Sequence, residues 1–376
     1  MIGAIIGDTI GSIYEFNNYR KEDFNLYDNR SRLTDDSILT LAIYDIITSG
    51  IYKDKVKRAN RLKLWAKTYN TGDYGKRFGK WIYSDSIESY RSFGNGAAMR
   101  ISPVGWIARS EEEVKELSDN VTMITHSHPE GMKGALVIAM CIYYARIGKT
   151  KEFIKEYASK YYNLDFNLEE LRRSYEFNET CENTVPQAIY AFLISTSFED
   201  CLRKSVSIGG DTDTLCAISC AIAEAYYKDI DKNLIDFVLS KLPGDKNGLS
   251  PKTILMDFTE FKHHIQVMSE EIDKDTNVIS MDNNYEIGFI YSKRISALRD
   301  YLINELNIEF SKEDTKKFAT INNKDELQLL INYINTKNLK YYYSLLDKVD
   351  DVFKSLLNSS KSELKGIINN SYSIDK

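Results

Sequence analysis

The stretch Ser207-Ile208-Gly209-Gly210-Asp211-Thr212-Asp213-Thr214 constrains this chain most. An apolar run at helical spacing follows it at once, through Leu215, Ile218, Ala221, Ile222 and Ala225. Residues three and four apart share one helix face, so the run predicts a buried helix whose start carries Asp211, Asp213 and Thr214. The paired glycines suit a turn in which the backbone takes positive φ or comes close to a ligand. Oxygen donors at this density match a hard divalent cation such as magnesium or manganese. Capping is the plainer explanation, because Asp and Thr are ordinary N-cap residues. Acidic groups also stabilise a helix N-terminus by roughly 0.3–1 kcal/mol.

A second segment repeats the pattern. Leu33-Thr34-Asp35-Asp36-Ser37 precedes the apolar positions Leu39, Ala42, Ile43, Ile46 and Ile47, and Gly50 closes the helix. One helix needs one cap. Four aspartates and two threonines at two buried helix starts fit two halves of one metal site better. If the two starts converge, the carboxylates raise each other's pKa by like-charge repulsion. Two divalent cations would compensate them, whereas unpaired buried charge is expensive.

The rest of the first 260 residues reads as helix after helix. Segments with helical periodicity run from Glu111 to Thr125, Glu130 to Ile147, Val185 to Ile194, Phe198 to Val206 and Thr214 to Tyr227. Four of the five prolines, Pro103, Pro129, Pro186 and Pro251, sit where helices should begin or end. Alternating strand patterns are scarce, so the expected fold is all-α: an orthogonal helical bundle around a central binuclear metal cleft. Residues 1–268 form the expected main domain, residues 269–284 a polar linker and residues 285–376 a helical appendage without visible chemistry.

Composition narrows the partners. The net charge is −6 and no basic stripe with interleaved aromatics occurs, which disfavours nucleic acid. The run Lys53 to Arg58 reads as a solvated helix face. The five cysteines form no Cys-x-x-Cys pair, which points to a reducing compartment and a cytoplasmic protein; Cys216 and Cys220 share an apolar helix face and read as core. The apolar start Met1 to Asp8 lacks the basic region of a signal peptide. No run of 18 apolar residues offers a membrane span.

Three other loops could carry chemistry. Gly3, Gly7 and Gly11 are four apart, which fails the Gly-x-Gly-x-x-Gly spacing of a dinucleotide loop and suits close helix packing. Asp8 and Glu15, seven apart, would share one helix face. Ser92-Phe93-Gly94-Asn95-Gly96-Ala97-Ala98-Met99-Arg100 reads as a glycine-rich turn entering a helix. Its free N–H groups could cradle phosphate, and Phe93 could stack on a base; taken alone it is an Asn-Gly turn. Thr125-His126-Ser127-His128 holds two of the four histidines, but no cysteine or third histidine stands at zinc-ligand spacing. A surface or substrate-contacting role suits His126 better.

Taken together, five ordered segments resemble the ADP-ribosylglycohydrolase family, which includes the dinitrogenase reductase-activating glycohydrolase and the eukaryotic ADP-ribosyl-acceptor hydrolases. They are Gly7 to Glu15, Thr34 to Ser37, Gly94 to Arg100, Thr125-His126 and Gly209 to Thr214. The resemblance implies two Mg2+ (or Mn2+) ions held by Thr34, Asp35, Asp36, Asp211, Asp213 and Thr214. It implies that Glu15 gates or contacts substrate. Ser92, Phe93, Gly94, Asn95 and Gly96 would hold the ribose and diphosphate, with Met99, Gly209 and Gly210 also lining the ligand, and His126 would touch the distal ribose. Ser37 stands where many members have a second threonine. The reaction implied is metal-dependent hydrolysis of an N- or O-glycosidic ADP-ribosyl bond in a modified protein or small molecule, with Asp35 or Asp36 moving the proton. Two alternatives share the scaffold: a different nucleotide-linked substrate, or a non-catalytic ADP-ribose-binding member. A haloacid-dehalogenase-type phosphatase is disfavoured, because Leu215 occupies the threonine position of its Asp-x-Asp-x-Thr motif. Residues 285–376 could recruit a protein partner.

Overall fold

Glycines set the centre of this fold. Gly3, Gly7 and Gly11 lie one helical turn apart on α1 (Ile2–Gly11), whose ten residues are all buried. A Cβ at Gly3 would meet the Cys220 carbonyl, one at Gly7 the Cys216 carbonyl, and one at Gly11 would lie 2.7 Å from the Asp213 Cα. The three glycines therefore let α1 lie directly on the backbone of a second buried helix, as their spacing suggested. At the far end of this contact, the Met1 amino group is 2.5 Å from the Glu224 carboxylate, which also accepts from the Gly3 N–H at 2.8 Å.

The computed structural model describes residues 1–274, with side-chain surroundings through residue 262. After α1 come α2 (Asp35–Thr48), α3 (Lys55–Thr68), α4 (Lys76–Tyr83), α5 (Ser102–Ile107), α6 (Glu111–Thr122), α7 (Pro129–Arg146) and α8 (Lys151–Ser159). Then follow α9 (Leu168–Ser174), α10 (Cys181–Leu193), α11 (Phe198–Ile208), α12 (Thr212–Tyr227), α13 (Lys232–Leu239) and α14 (Pro251–Lys274). No strand occurs among the described residues, only isolated bridges between Gly94 and Thr180 and between Lys246 and Leu249. The fold is all-α, as expected. Helix α12 packs on α1, α10 and α11, while α7 packs on α5 and α6. No helix among the described residues is long and apolar enough to cross a membrane.

Local chemistry explains most helix starts. Ser110 and Ser197 accept from the N–H groups of Glu113 and Asp200, and Thr180 accepts from Asn183. The Thr180 cap starts α10 at Cys181, four residues before the expected Val185, so Pro186 lies inside the helix rather than at its start. Pro103, Pro129 and Pro251 do sit in first turns. Gly50 takes φ +73 just past α2. Cys216 and Cys220 are buried, as are the other three cysteines, and none is paired. One basic residue departs from the solvated-face reading. Arg58 is buried, donating to the Tyr52 carbonyl at 2.7 Å and to Asn120 at 2.5 Å.

Contacts divide the chain into Met1–Phe258 and Thr259–Lys376. Helix α14 continues through Lys274, so the first six residues of the expected linker are helical. The remainder of the linker and the expected appendage at 285–376 lie outside the described residues.

Candidate active site

Helix α1 lies against both acidic helix starts, and Asp8 is its side-chain link to the first. Asp8 lies fully buried on α1, one turn before the Gly11 contact with Asp213. Its Oδ2 accepts from the Thr34 N–H at 3.0 Å and the Ser37 N–H at 3.1 Å. The Thr34 hydroxyl donates to Oδ1 at 2.6 Å, and the Ser37 hydroxyl donates to Oδ2. Helix α1 thus fixes the start of α2 with one side chain and the start of α12 with its backbone. Burial pushes the Asp8 carboxyl up to about 6, although the Ser37 and Thr34 donors oppose the shift.

Six carboxylates gather at this junction, and their charges act on one another. Glu15, Asp211 and Asp213 each offer an oxygen within 4.8 Å of the others. Burial and then the Asp213 charge push Glu15 up to about 8. Burial also raises Asp211 to about 6, with Glu15 and Asp35 adding to the rise. Asp35 and Asp36 are raised well above the carboxylate range by burial, then by Asp213 and Asp8; Asp213 is raised by burial and Asp211. One oxygen each of Glu15 and Asp36 is buried with no hydrogen-bond partner. All-oxygen donors, unpartnered buried carboxylate oxygens and clustered negative charge fit a hard divalent cation. The Glu15, Asp211 and Asp213 trio could hold a metal.

Capping accounts for only part of this arrangement. Thr34 caps α2 by accepting from Asp36 N–H at 3.3 Å. Asp211 occupies the N-cap of α12 yet makes no side-chain cap bond. Its Oδ2 instead accepts from Asn95 Nδ2 at 2.6 Å. Asp213 accepts from the Thr214 N–H at 2.9 Å, and Thr214 itself is buried beside it. Glu15 departs from expectation, because α1 ends at Gly11 and Glu15 follows in a turn. The turn, not a shared helix face, brings its carboxylate to Asp211 and Asp213.

The Gly94-Asn95-Gly96 loop lies beside the cluster, held there by Asn95. It forms a short 3₁₀ turn at Asn95–Ala97 rather than entering a helix directly, and α5 starts only at Ser102. Most of the expected amide cradle is already used. Gly94 N–H donates to Ser92 Oγ at 3.2 Å and Asn95 N–H to the Glu179 carbonyl at 2.8 Å. The Ala97 amide bonds the Gly94 carbonyl, while those of Ala98 and Met99 bond the Asn95 carbonyl. With these amides taken, the loop offers less of a phosphate cradle than its glycines suggest. Phe93 is 46% exposed, with its ring edge-on to His128 at 5.5 Å. Met99 is buried, its sulfur 3.8 Å from where a Gly96 Cβ would stand. His128 caps α7 by accepting from the Glu130 N–H at 3.2 Å. His126 is buried and bonded to Thr125, and burial holds its imidazole well below the usual range.

Gly209 and Gly210 both take positive φ, +76 and +79, as the turn requires. The space beside them is filled by protein. A Cβ at Gly209 would lie 2.6 Å from Asn18 Oδ1 and 2.7 Å from Arg20 Nη1, and one at Gly210 would meet the Tyr175 ring. Asn18 accepts from the Gly210 N–H at 2.6 Å, and Arg20 donates to the Ile208 and Tyr175 carbonyls. Their glycine character serves the turn's packing, not ligand approach. Asn18, Arg20 and Tyr175 carried no signal in the sequence, because two separate segments supply them, the one after α1 and the end of α9. Asp8 carried one, its position in the glycine-spaced helix, but not its partners.

The chain is similar to proteins of one family. The family model for ADP-ribosylglycohydrolase matches residues 1–237. ADP-ribosylhydrolase ARH3 of Xenopus tropicalis is 25% identical over 299 residues, covering 60% of this chain and 85% of the relative. ADP-ribosyl-[dinitrogen reductase] glycohydrolase of Rhodospirillum rubrum is 22% identical over 249 residues, covering 60% and 83%. A solved structure described as an ADP-ribosylglycohydrolase-related protein complex is 20% identical, with a TM-score of 0.49, covering 64% of this chain and 95% of that one. The matched residues 1–237 span most of the described chain and include every carboxylate of the cluster, and the chain belongs to the ADP-ribosylglycohydrolase family.

Proposed function

We propose that this protein hydrolyses an ADP-ribosyl bond in a metal-dependent reaction, releasing ADP-ribose from a modified protein or small molecule. The observation that carries the reading is the trio of Glu15, Asp211 and Asp213, joined through α1 to the acidic start of α2. Family membership and the ADP-ribose-directed names of the relatives support the substrate class.

Thr34, Asp35, Asp36, Asp211, Asp213 and Thr214 are the residues that would hold two Mg2+ or Mn2+ ions. Bound there, the cations would offset the carboxylate charge, orient the ribose diol and acidify water. The protein's own groups do the rest. Asp8 holds Thr34 and Ser37 in place, and Asn95 holds Asp211. Asp35 is half-buried while Asp36 is buried, so Asp35 is the better placed of the two to move a proton at the leaving-group oxygen or the attacking water. Cleavage at the anomeric carbon passes through an oxocarbenium-like state, which the surrounding carboxylates favour electrostatically. Phe93, exposed beside the Gly94 loop, is the candidate stacking face for the nucleotide. Five buried, unpaired cysteines support a reducing, cytoplasmic setting.

Isothermal titration of ADP-ribose, with and without magnesium, tests this reading. Metal-dependent binding that disappears in Asp211→Asn and Asp213→Asn, together with turnover of an ADP-ribosylated acceptor, is the expected result. Turnover retained in both variants would sink the metal assignment. Magnesium binding without ADP-ribose binding would favour a different nucleotide-linked ligand on this scaffold.

A further inference from the structure

We propose that Arg100 and Thr125 position His126 as a neutral hydrogen-bond donor, with its proton on Nε2 and aimed at the Gly94-Asn95-Gly96 loop. Arg100 lies between the 3₁₀ turn and α5 and is only 2% exposed. Its Nη2 is 2.7 Å from Thr125 Oγ1 and 3.4 Å from His126 Nδ1. Thr125 Oγ1 is in turn 2.8 Å from His126 Nδ1.

A guanidinium donates and never accepts, so the Thr125 hydroxyl must accept from Arg100. Its own proton is shared between Nδ1 and the Tyr90 hydroxyl, which also hydrogen-bonds Thr125. The direct Arg100 contact decides the tautomer, because an Nδ1–H would point at a guanidinium that has no lone pair to accept it. Nδ1 therefore carries the lone pair and Nε2 the proton. A second proton is disfavoured too. Burial, Arg100 and Arg77 all push the His126 imidazole toward its neutral form. The groups facing it are Arg100, the Tyr90 ring at a centroid distance of 6.3 Å, and Arg77 of α4, which lies over that ring at 5.1 Å. Asp35 is the carboxylate that acts on Arg100 and Tyr90. On the α7 side, His126 packs against Gly131.

The Nε2 edge faces the loop. A Cβ at Gly96 would stand 3.4 Å from both Cε1 and Nε2, and one at Gly94 would stand 3.8 Å from Nε2. The ring hydrogen bonds of His126 to Arg100 and Thr125 run through Nδ1. The Nε2 edge of this side chain, which is only 4% exposed, thus lies between two residues that lack side chains. Such a donor takes an oxygen acceptor, a ribose hydroxyl or a phosphate oxygen. That ligand clause rests on the ADP-ribose reading above; the tautomer does not.

Long-range proton–nitrogen spectra of the ligand-free, nitrogen-15-labelled protein test the assignment, with the His126 signals identified by their loss in His126→Gln. The expected pattern is an unprotonated Nδ1 and a protonated Nε2, unchanged as the pH falls through the ordinary histidine value of about 6.5. Thr125→Val removes the relay and should shift His126 toward a mixture of tautomers, whereas Thr125→Ser, which keeps the hydroxyl, should restore the native pattern. A protonated Nδ1 in the native protein, or titration near the ordinary value of about 6.5, overturns the proposal without any variant. An unchanged pattern in Thr125→Val overturns the role of the relay. Adding ADP-ribose should then move the Nε2–H signal. Binding without that movement overturns the donor role. Absence of binding with the expected tautomer supports the Arg100 and Thr125 assignment and counts only against the ADP-ribose reading.

Discussion

Asp8 receives four hydrogen bonds on two oxygens, from both polar groups of Thr34 and both of Ser37. An amide at this position keeps the shape but turns one acceptor into a donor facing an N–H or a hydroxyl. Asp8→Asn should cost about 1–3 kcal/mol in urea unfolding and should weaken magnesium binding, because the start of α2 loses its register. The clustered acids also set a pH dependence. Asp8 and Asp211 rise from 3.8 to about 6 and Glu15 from 4.5 to about 8 in the folded state. A carboxyl whose folded pKa lies above its unfolded value binds more protons when folded, so stability falls as pH rises between the two values. The metal-free protein should therefore melt progressively lower as pH climbs from about 4 to about 8. Saturating magnesium should flatten that slope, because the cation replaces the protons. A metal-free melting temperature that rises steadily over this window would count against the clustered carboxylates.

Elements show where the chain's pattern could be read directly. The four-residue glycine spacing of α1 announces a close helix contact from the sequence alone, since only a missing side chain lets two backbones approach so nearly. Gly7→Ala tests it. Alanine gains up to about 1 kcal/mol of helix propensity. Here its Cβ would collide with the Cys216 carbonyl and the Ala217 nitrogen, backbone atoms that cannot swing aside. A net destabilisation of about 1–3 kcal/mol is expected in urea unfolding, the usual cost of overpacking. Other elements were less legible. The helical start at Cys181 is hidden by Pro186, which reads as a boundary until Thr180 supplies the cap. Glu15 was placed on a helix that stops at Gly11, because nothing in the local sequence forces the turn that carries it to Asp211 and Asp213.

For the whole molecule, every candidate site residue precedes α13, within the unit Met1–Phe258. A chain ending at Lys274 is expected to keep magnesium-dependent ADP-ribose binding and the melting temperature of the intact protein. Loss of either would show that residues 275–376 complete the fold or the site. Ligand linkage gives a second test. Magnesium at about 100 times its dissociation constant should stabilise the folded state by about 2.7 kcal/mol per site, and this gain should vanish in Asp213→Asn.

The helical class, the two acidic helix starts, the glycine contact of α1 and the family resemblance can all be read from the order of the residues. Each of these is local in the chain: a period, a spacing or a run of a few residues. Only in the folded chain does α1 hold the start of α2 through Asp8 and the start of α12 through Gly11, does Asn95 bond Asp211, and do Asn18 and Arg20 fill the space beside the glycine pair. Tertiary structure also decided that the amides of the Gly94 loop are occupied and that Arg100 stands behind His126. The physical reason is the same throughout. A motif shows which groups are present, but a buried polar group takes its role from the partner that satisfies it. Here those partners arrive from helices and loops tens to hundreds of residues away in the chain.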